Sequence, residues 1–358
     1  MKVLLIGEYS GFFTNLKKGL EKIGVTCVLA SNQDVWKKID GTDIQLYKTT
    51  HKNLFGKIYN LFLEPILSRK KLYGYDVVQF VNPSVYPSRI NTYMVKKIKK
   101  HSGKMFVSIA GDCLPVYESY KKGLLGYYIY DNNIELVDKY ESGSGKSRRI
   151  MKTEEECLLL SDGIIPIMYE YAVGVREMKQ SLKTIPIPFD CSDIEYRPNK
   201  IKNGKIVIFH GLIREEAKGT KYILEALEII KQRHPNEVEI IVDGKKPLKE
   251  YLEMLSEVNI LVDQCKEHCY GMNALYAMAE GRVVLGGASE NSLTELGLSE
   301  CPVIHIEPNV QQIVAQLEYV ISQKEHIEKL GEQSRRFVEK FHDCERVAQE
   351  YIKAWNNV

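Results

Sequence analysis

Short apolar runs alternate with longer amphipathic stretches along most of the chain. In the first half, Val3–Ile6, Val25–Leu29, Val77–Val81, Met105–Ile109 and Ile164–Met168 read as strands. They are continuously apolar rather than alternating, as parallel strands covered on both faces must be. Asn15–Ile23, Asn91–Lys100 and Glu154–Leu160 read as the helices between them. Strand and helix taken in turn predict a doubly wound parallel sheet.

The pattern breaks at Ile185-Pro186-Ile187-Pro188 and again at Tyr196-Arg197-Pro198. Prolines at this density interrupt both helix and sheet, so an interdomain linker is expected here. A second series follows, with strands at Ile206–Phe209, Val238–Val242, Val258–Val262, Val283–Leu285 and Val303–Ile306. Its helices fall at Lys221–Arg233, Leu248–Leu255 and Met272–Glu280, and Gln311–Ser322, Ile327–Phe341 and Glu345–Asn356 close the chain. The expectation is an α/β protein of two Rossmann-like, doubly wound parallel-sheet domains facing a cleft. They would cover residues 1–187 and 200–343, with a last helix at about 344–358 packing back on the first. Such sheets bind ligands at the carboxyl ends of their strands.

Composition narrows the classes. With 358 residues, two cores are the default, and 49 basic against 47 acidic residues disfavour a nucleic-acid partner. No apolar run approaches the roughly 20 residues of a spanning helix. Met1–Gly7 reads as a first strand and not as a signal peptide, and a cytoplasmic protein is expected. The eight cysteines are scattered without a Cys-x-x-Cys pair. Cys265, His268 and Cys269 lie close together, but no second cluster completes a tetrahedral set, and no metal is expected.

Two segments carry the chemistry. After the Ile206–Phe209 strand come His210, Gly211, Arg214, Lys218 and Gly219, with a helix beginning near Thr220. Arg214 offers a planar fork of donors and Lys218 a point charge, so the pair could clamp a diphosphate. The alternative is a solvated pair beside Glu215 and Glu216. The second segment runs from Asp263 to Gly281 and contains Gln264, Glu267, Gly271, Met272, Asn273, Ala274 and Tyr276. Gly271 permits close backbone approach, and the N–H groups of Met272, Asn273 and Ala274 at a helix start would face an anion. The small residues of the same helix also suit plain tight packing.

These residues resemble a known family. Tyr270-Gly271-Met272-Asn273-Ala274-Leu275-Tyr276-Ala277-Met278-Ala279-Glu280-Gly281-Arg282-Val283-Val284 is similar to the donor-site block of glycosyltransferase family 4, retaining enzymes of the GT-B fold. His210 to Gly219 resembles that family's His/Gly loop with its Arg and Lys-Gly segment, and Arg336–Asp343 its C-terminal helices. The resemblance covers roughly residues 204–350. It implies a nucleotide-sugar donor, UDP- or GDP-linked, held by Arg214, Lys218 and the Gly271–Ala274 backbone. His210, Gly211, Gln264, Glu267 and Tyr276 would lie around it, with no cofactor. It also implies transfer to a glycan or lipid-linked acceptor, as in bacterial surface polysaccharide assembly. The chain departs from the family where two glutamates are usual: His268 and Tyr276 occupy those positions. A nucleotide-sugar epimerase or hydrolase, or a non-catalytic partner of a glycosyltransferase complex, are the other readings.

In the first half, Gly7-Glu8-Tyr9-Ser10-Gly11 follows the first strand. By resemblance Gly11 belongs to a loop near the reacting sugar; a plain tight turn fits the residues equally. Asp112, after the Met105–Ile109 strand, is the polar group best placed for catalysis on the acceptor side, or else a cap or turn residue. Ser142-Gly143-Ser144-Gly145-Lys146-Ser147 mimics the end of a phosphate-binding loop. The earlier glycine that the motif needs is Tyr140, so a flexible surface loop is expected. The basic clusters Ser68–Lys71 and Lys96–His101, with the apolar Leu61–Leu67 before the first, suit either a solvated face or peripheral contact with the inner face of a membrane.

Overall fold

The computed structural model describes residues 1–33, 40–48, 53–244 and 248–358, and they form two compact units. The first comprises residues 1–124, 134–188 and 344–358; the second comprises 125–133 and 189–343.

The first unit is built on β1 (Lys2–Ile6), β2 (Thr26–Ser31), β3 (Ile44–Gln45), β4 (Val77–Phe80), β5 (Lys104–Ile109) and β6 (Gly163–Pro166), in the spatial order β3-β2-β1-β4-β5-β6. The second is built on β7 (Ile206–Gly211), β8 (Val238–Asp243), β9 (Ile260–Val262), β10 (Val283–Gly286) and β11 (Ile304–His305), in the order β11-β10-β9-β7-β8. Among the described residues every ladder in both sheets is parallel. The apolar runs read from sequence are the buried strands, and each unit is a Rossmann-like doubly wound sheet. In both, the strand order reverses beside the first strand: between β1 and β4, and between β7 and β9. In a sheet of this kind, the carboxyl ends of the strands beside such a reversal are where a ligand binds, in each unit by itself.

The C-terminal helix Cys344–Asn356 packs on the Phe12–Lys22 helix of the first unit. A Cβ on Gly19 would come within 2.1 Å of the Cys344 carbonyl, which explains the glycine in that helix. Trp355 is fully buried and donates its indole N–H to Gln79 Oε1 at 2.9 Å, so the end of the chain is tied into the first sheet.

Three expectations are corrected. Ser142–Ser147 is not a flexible loop. Ser144 caps the helix Gly145–Leu160, its side chain accepting from the Ser147 N–H at 3.1 Å. Serine is among the best N-cap residues, and its local hydrogen bond outweighs the linker-like composition around it. For the same reason the Glu154–Leu160 helix begins nine residues earlier than its apolar pattern shows, at Gly145. Residues 125–133, inside the stretch assigned to the first domain, cluster instead with the second unit. Lys266 Nζ reaches the Asp131 carbonyl at 2.6 Å, and His268 Nε2 reaches the Leu125 carbonyl at 2.7 Å. Among the described residues no helix is long and apolar enough to cross a membrane.

Candidate functional site

In the second unit, β7 ends at Gly211 and the chain does not enter its helix at once. It passes through a short helix, Glu215–Lys218, before the long helix Thr220–Arg233. Arg214 stands before the short helix with left-handed φ 55° and is exposed. Lys218 ends the same turn, its N–H donating to the Arg214 carbonyl at 2.9 Å. Gly219 separates the two helices at φ 74°, and a Cβ there would meet Cys265 Sγ at 2.4 Å, so only glycine fits.

Lys218 does not extend into bulk solvent. Its side chain is 13% exposed, and Nζ meets Asp263 Oδ1 at 2.6 Å. Asp263, just past β9, is buried, and the same oxygen accepts from Asn273 Nδ2 at 2.7 Å. One carboxylate therefore joins the cation of the first chemical segment to the helix start of the second. The register explains the meeting: β7 and β9 pair with His210 opposite Val262, so the residues following each strand emerge side by side. The Cys265 N–H donates to the Lys218 carbonyl at 2.9 Å, which fixes the cationic turn against the loop after β9.

Asn273 lies in the first turn of the helix Met272–Ala279, for which Gly271 is the N-cap. No side chain caps this helix, and its first turn carries no acid. The opening N–H groups of a helix have no partner within it and carry the positive end of its dipole. A Cβ built on Gly271 would meet no atom within 4 Å, so the space beside this helix start is open. Met272 and Ala274 have buried side chains and offer only their backbone.

The other sequence candidates fall into two groups. Gln264 and Glu267 lie on the Asp263–Gly271 loop. Gln264 is buried, and its amide donates to the Cys269 carbonyl at 3.1 Å, holding the loop closed, while Glu267 is half-buried. Tyr276 is half-buried and packs edge-on against Phe189, with ring centroids 5.1 Å apart. Gly211 ends β7 with its carbonyl accepting from the Ile213 N–H at 2.9 Å. His210 departs most from expectation, being wholly buried. Its Nδ1 lies 2.8 Å from the Val262 carbonyl and its Nε2 2.9 Å from the Thr220 hydroxyl. A carbonyl only accepts, so Nδ1 carries the hydrogen and Nε2 accepts from Thr220. The ring ties β7 to β9 and to the next helix instead of facing a ligand. Burial pushes its pKa down to about 4, which keeps it neutral.

In the first unit, the loop containing Gly11 folds around Glu8. The Glu8 carboxylate is buried and accepts from the Gly11 N–H at 2.9 Å, the Thr14 N–H at 2.8 Å and the Thr14 hydroxyl at 2.8 Å. The start of the Phe12–Lys22 helix is thus occupied by the chain's own anion. Asp112 is neither exposed nor a helix cap. Its Oδ2 meets Lys139 Nζ at 2.6 Å, and the Tyr140 hydroxyl lies 3.3 Å from both its oxygens. The cap of the Leu114–Lys121 helix comes from buried Glu154, which accepts from the Leu114 N–H at 2.7 Å and lies 3.3 Å from Lys139 Nζ. Burial raises the Glu154 pKa; burial opposes the charge on Lys139, but the carboxylates of Glu154 and Asp112 outweigh it and raise that pKa.

Sequence reasoning missed Asp263, Glu8, Lys139 and Glu154. The signal for Asp263 was its place directly after an apolar strand, one segment away from Arg214 and Lys218. Among the described residues, no group of three or more His, Cys, Asp or Glu is arranged to hold a metal ion.

No protein-family model and no curated protein matches the chain. Solved structures do. A sucrose-phosphate synthase from Thermosynechococcus elongatus superposes with a TM-score of 0.63 at 13% identity, covering 100% of this chain and 99% of that one. HepE of Anabaena, solved with UDP and glucose, gives 0.62 at 9% identity with 100% of both chains covered. The UDP-GlcNAc 2-epimerase of Neisseria meningitidis, solved with UDP-GlcNAc, gives 0.53 at 13% identity, again over 100% of both chains. At these identities the likeness is one of fold: the chain has the GT-B architecture of two Rossmann-like parallel-sheet domains.

Proposed function

We propose that this chain is a retaining glycosyltransferase of the family 4 type. It would take a hexose-type sugar from a UDP- or GDP-linked donor to a glycan or lipid-linked acceptor, as in the assembly of bacterial surface polysaccharide. The observation that carries the reading is Asp263, which holds Lys218 and Asn273 together at the strand-order reversal of the second sheet. An ammonium has three donors, and Asp263 uses one. The other two remain for the oxygens of a diphosphate, with the uncapped helix start at Gly271 as the second cradle. Arg214, on the same short turn, would add a fork of donors. Charge growing on the departing nucleoside diphosphate would be neutralised by these fixed cations and dipoles without a metal. In the first unit, Asp112, held by Lys139 and Tyr140, would serve the acceptor side.

A second reading, a nucleotide-sugar epimerase or hydrolase, is favoured by the likeness to the Neisseria enzyme and by Tyr276 standing where family members carry a carboxylate. Incubation with UDP- and GDP-sugars, with and without lipid-linked and glycan acceptors, separates the two: acceptor-dependent release of nucleoside diphosphate supports transfer, acceptor-independent conversion supports the alternative. Thermal unfolding with UDP and GDP tests the donor site itself. A bound diphosphate raises the melting temperature by mass action, and no shift at millimolar UDP or GDP would remove the basis of both readings.

A further inference from the structure

We infer that the helical run over residues 54–72 is a docking surface for an anionic lipid bilayer. The run is assembled from Leu54–Ile58, a wider π turn at Tyr59–Leu63, Glu64–Ser68 and a closing turn at Arg69–Leu72. Leu54, Phe55 and Leu67 are 73%, 76% and 67% exposed, and Ile58, Tyr59 and Leu63 are exposed beside them. Single exposed apolar residues are ordinary; six large ones on one helical run are not.

The π turn keeps them together. Along an α-helix, residues four apart drift by about 40° around the axis. The wider i→i+5 turn advances less per residue and takes that drift back. Phe55, Tyr59, Leu63 and Leu67 therefore stay close to one line.

Charge selects the occupant. Residues 53–72 carry Lys57, Arg69, Lys70 and Lys71 against Glu64, four cations less one anion, or +3, while the whole chain is +2. Glu64 has Lys48 Nζ at 3.9 Å. The basic helix Asn91–Lys100 packs beside the Arg69–Leu72 turn, and Tyr73 stacks on His101 with centroids 4.3 Å apart, adding exposed Lys96 and Lys100 to the neighbourhood. Protein interfaces are depleted of lysine. Apolar residues bordered by lysine are what an interfacial helix presents to acidic headgroups. The inference rests on the first unit alone and needs no nucleotide, so it stands or falls apart from the proposed reaction.

Flotation with vesicles of phosphatidylcholine alone, and of phosphatidylcholine mixed with phosphatidylglycerol, tests it. The wild-type chain should partition at least tenfold more strongly onto the anionic vesicles, and less as salt is added. Phe55→Ser with Leu67→Ser should lower that partition tenfold or more, and Lys70→Glu with Lys71→Glu should lower it and flatten its salt dependence. An unchanged melting temperature in both variants shows that the fold persists. Wild-type chain that stays with the soluble fraction at low salt overturns the inference. So does a dimer in sedimentation equilibrium that Phe55→Ser with Leu67→Ser dissociates, since the face would then belong to a second copy.

Discussion

The two units solve the same turn in opposite ways. Each has a first strand, β1 or β7, that leads into the first helix at the point where the strand order reverses. In the first unit the turn is short, and Glu8 folds back so that its carboxylate takes the Gly11 and Thr14 N–H groups. In the second, the turn is lengthened by the Glu215–Lys218 helix, which lays a cation against Asp263, and the neighbouring helix start at Gly271 has no side-chain cap. The first turn supplies its own anion, whereas the second gathers donors and leaves space. The same architecture therefore closes one helix start with its own carboxylate and leaves the other without a side-chain cap.

The largest effect should come from Lys218→Ala. If the second turn grips a diphosphate, removing one fixed donor to the developing charge should lower turnover by about 10²–10³-fold, or about 2.7–4 kcal/mol. The nucleotide-induced rise in melting temperature should shrink as well. Wild-type turnover of a nucleotide sugar by the variant would make the two turns equivalent and end the comparison.

Glu8→Ala should act on stability, not on donor binding. It strips a buried carboxylate that satisfies two backbone N–H groups and a hydroxyl, at a cost of about 2–3 kcal/mol. The urea midpoint should fall, and sulfate should restore part of the loss relative to chloride, because the emptied helix start becomes an anion site. An unchanged midpoint would mean that Glu8 does not hold the turn.

The sequence disclosed the sheets better than the turns. Continuous apolar runs mark parallel strands because both faces of each are covered, and Leu4, Ile208 and Val284 are fully buried as that predicts. β3 escaped notice because two residues, Ile44 and Gln45, make no run. Arg214, Lys218 and Gly271 were visible as donors after strands. Asp263 was not, since its importance comes from the pairing of His210 with Val262, a register that no local pattern displays. His210 read as a site residue for the converse reason: a polar residue at a strand end looks available until its hydrogen bonds to Val262 and Thr220 are known. Asp112 gathers Lys139 and Tyr140 from a helix that the sequence reading did not anticipate.

His210 gives the second unit one acid-sensitive group. Its pKa is about 4 in the folded chain against an ordinary 6.5. Well above pH 6.5 the ring is neutral in both states and contributes nothing to the pH dependence. As pH falls from 6.5 towards 4, the unfolded chain takes up a proton that the folded chain refuses. Stability is then lost at up to about 1.4 kcal/mol per pH unit. Urea unfolding at intervals across that window should show a shallower slope for His210→Gln than for the wild type. Equal slopes would place the acid sensitivity elsewhere.

The smallest change is the sharpest test, because it rebuilds the first turn's solution in the second. Gly271 has extended backbone, φ −114° and ψ −167°, which any residue can adopt at an N-cap, and open space beside it. Gly271→Asp would place a carboxylate at the uncapped start of Met272–Ala279, as Glu8 does for Phe12–Lys22. A good cap with favourable charge at the helix dipole should add about 0.5–1 kcal/mol of stability. The same carboxylate would compete with the donor diphosphate, so UDP should bind at least severalfold more weakly to the variant in calorimetry. Gly271→Ala sends only a methyl into that space and serves as the control for bulk. If aspartate stabilises the chain and weakens UDP while alanine does neither, the open helix start is the anion cradle that the first unit has closed. If aspartate leaves UDP affinity at the alanine value, the diphosphate is held by Lys218 and Arg214 alone, and the difference between the two turns lies in the inserted helix and not in the missing cap.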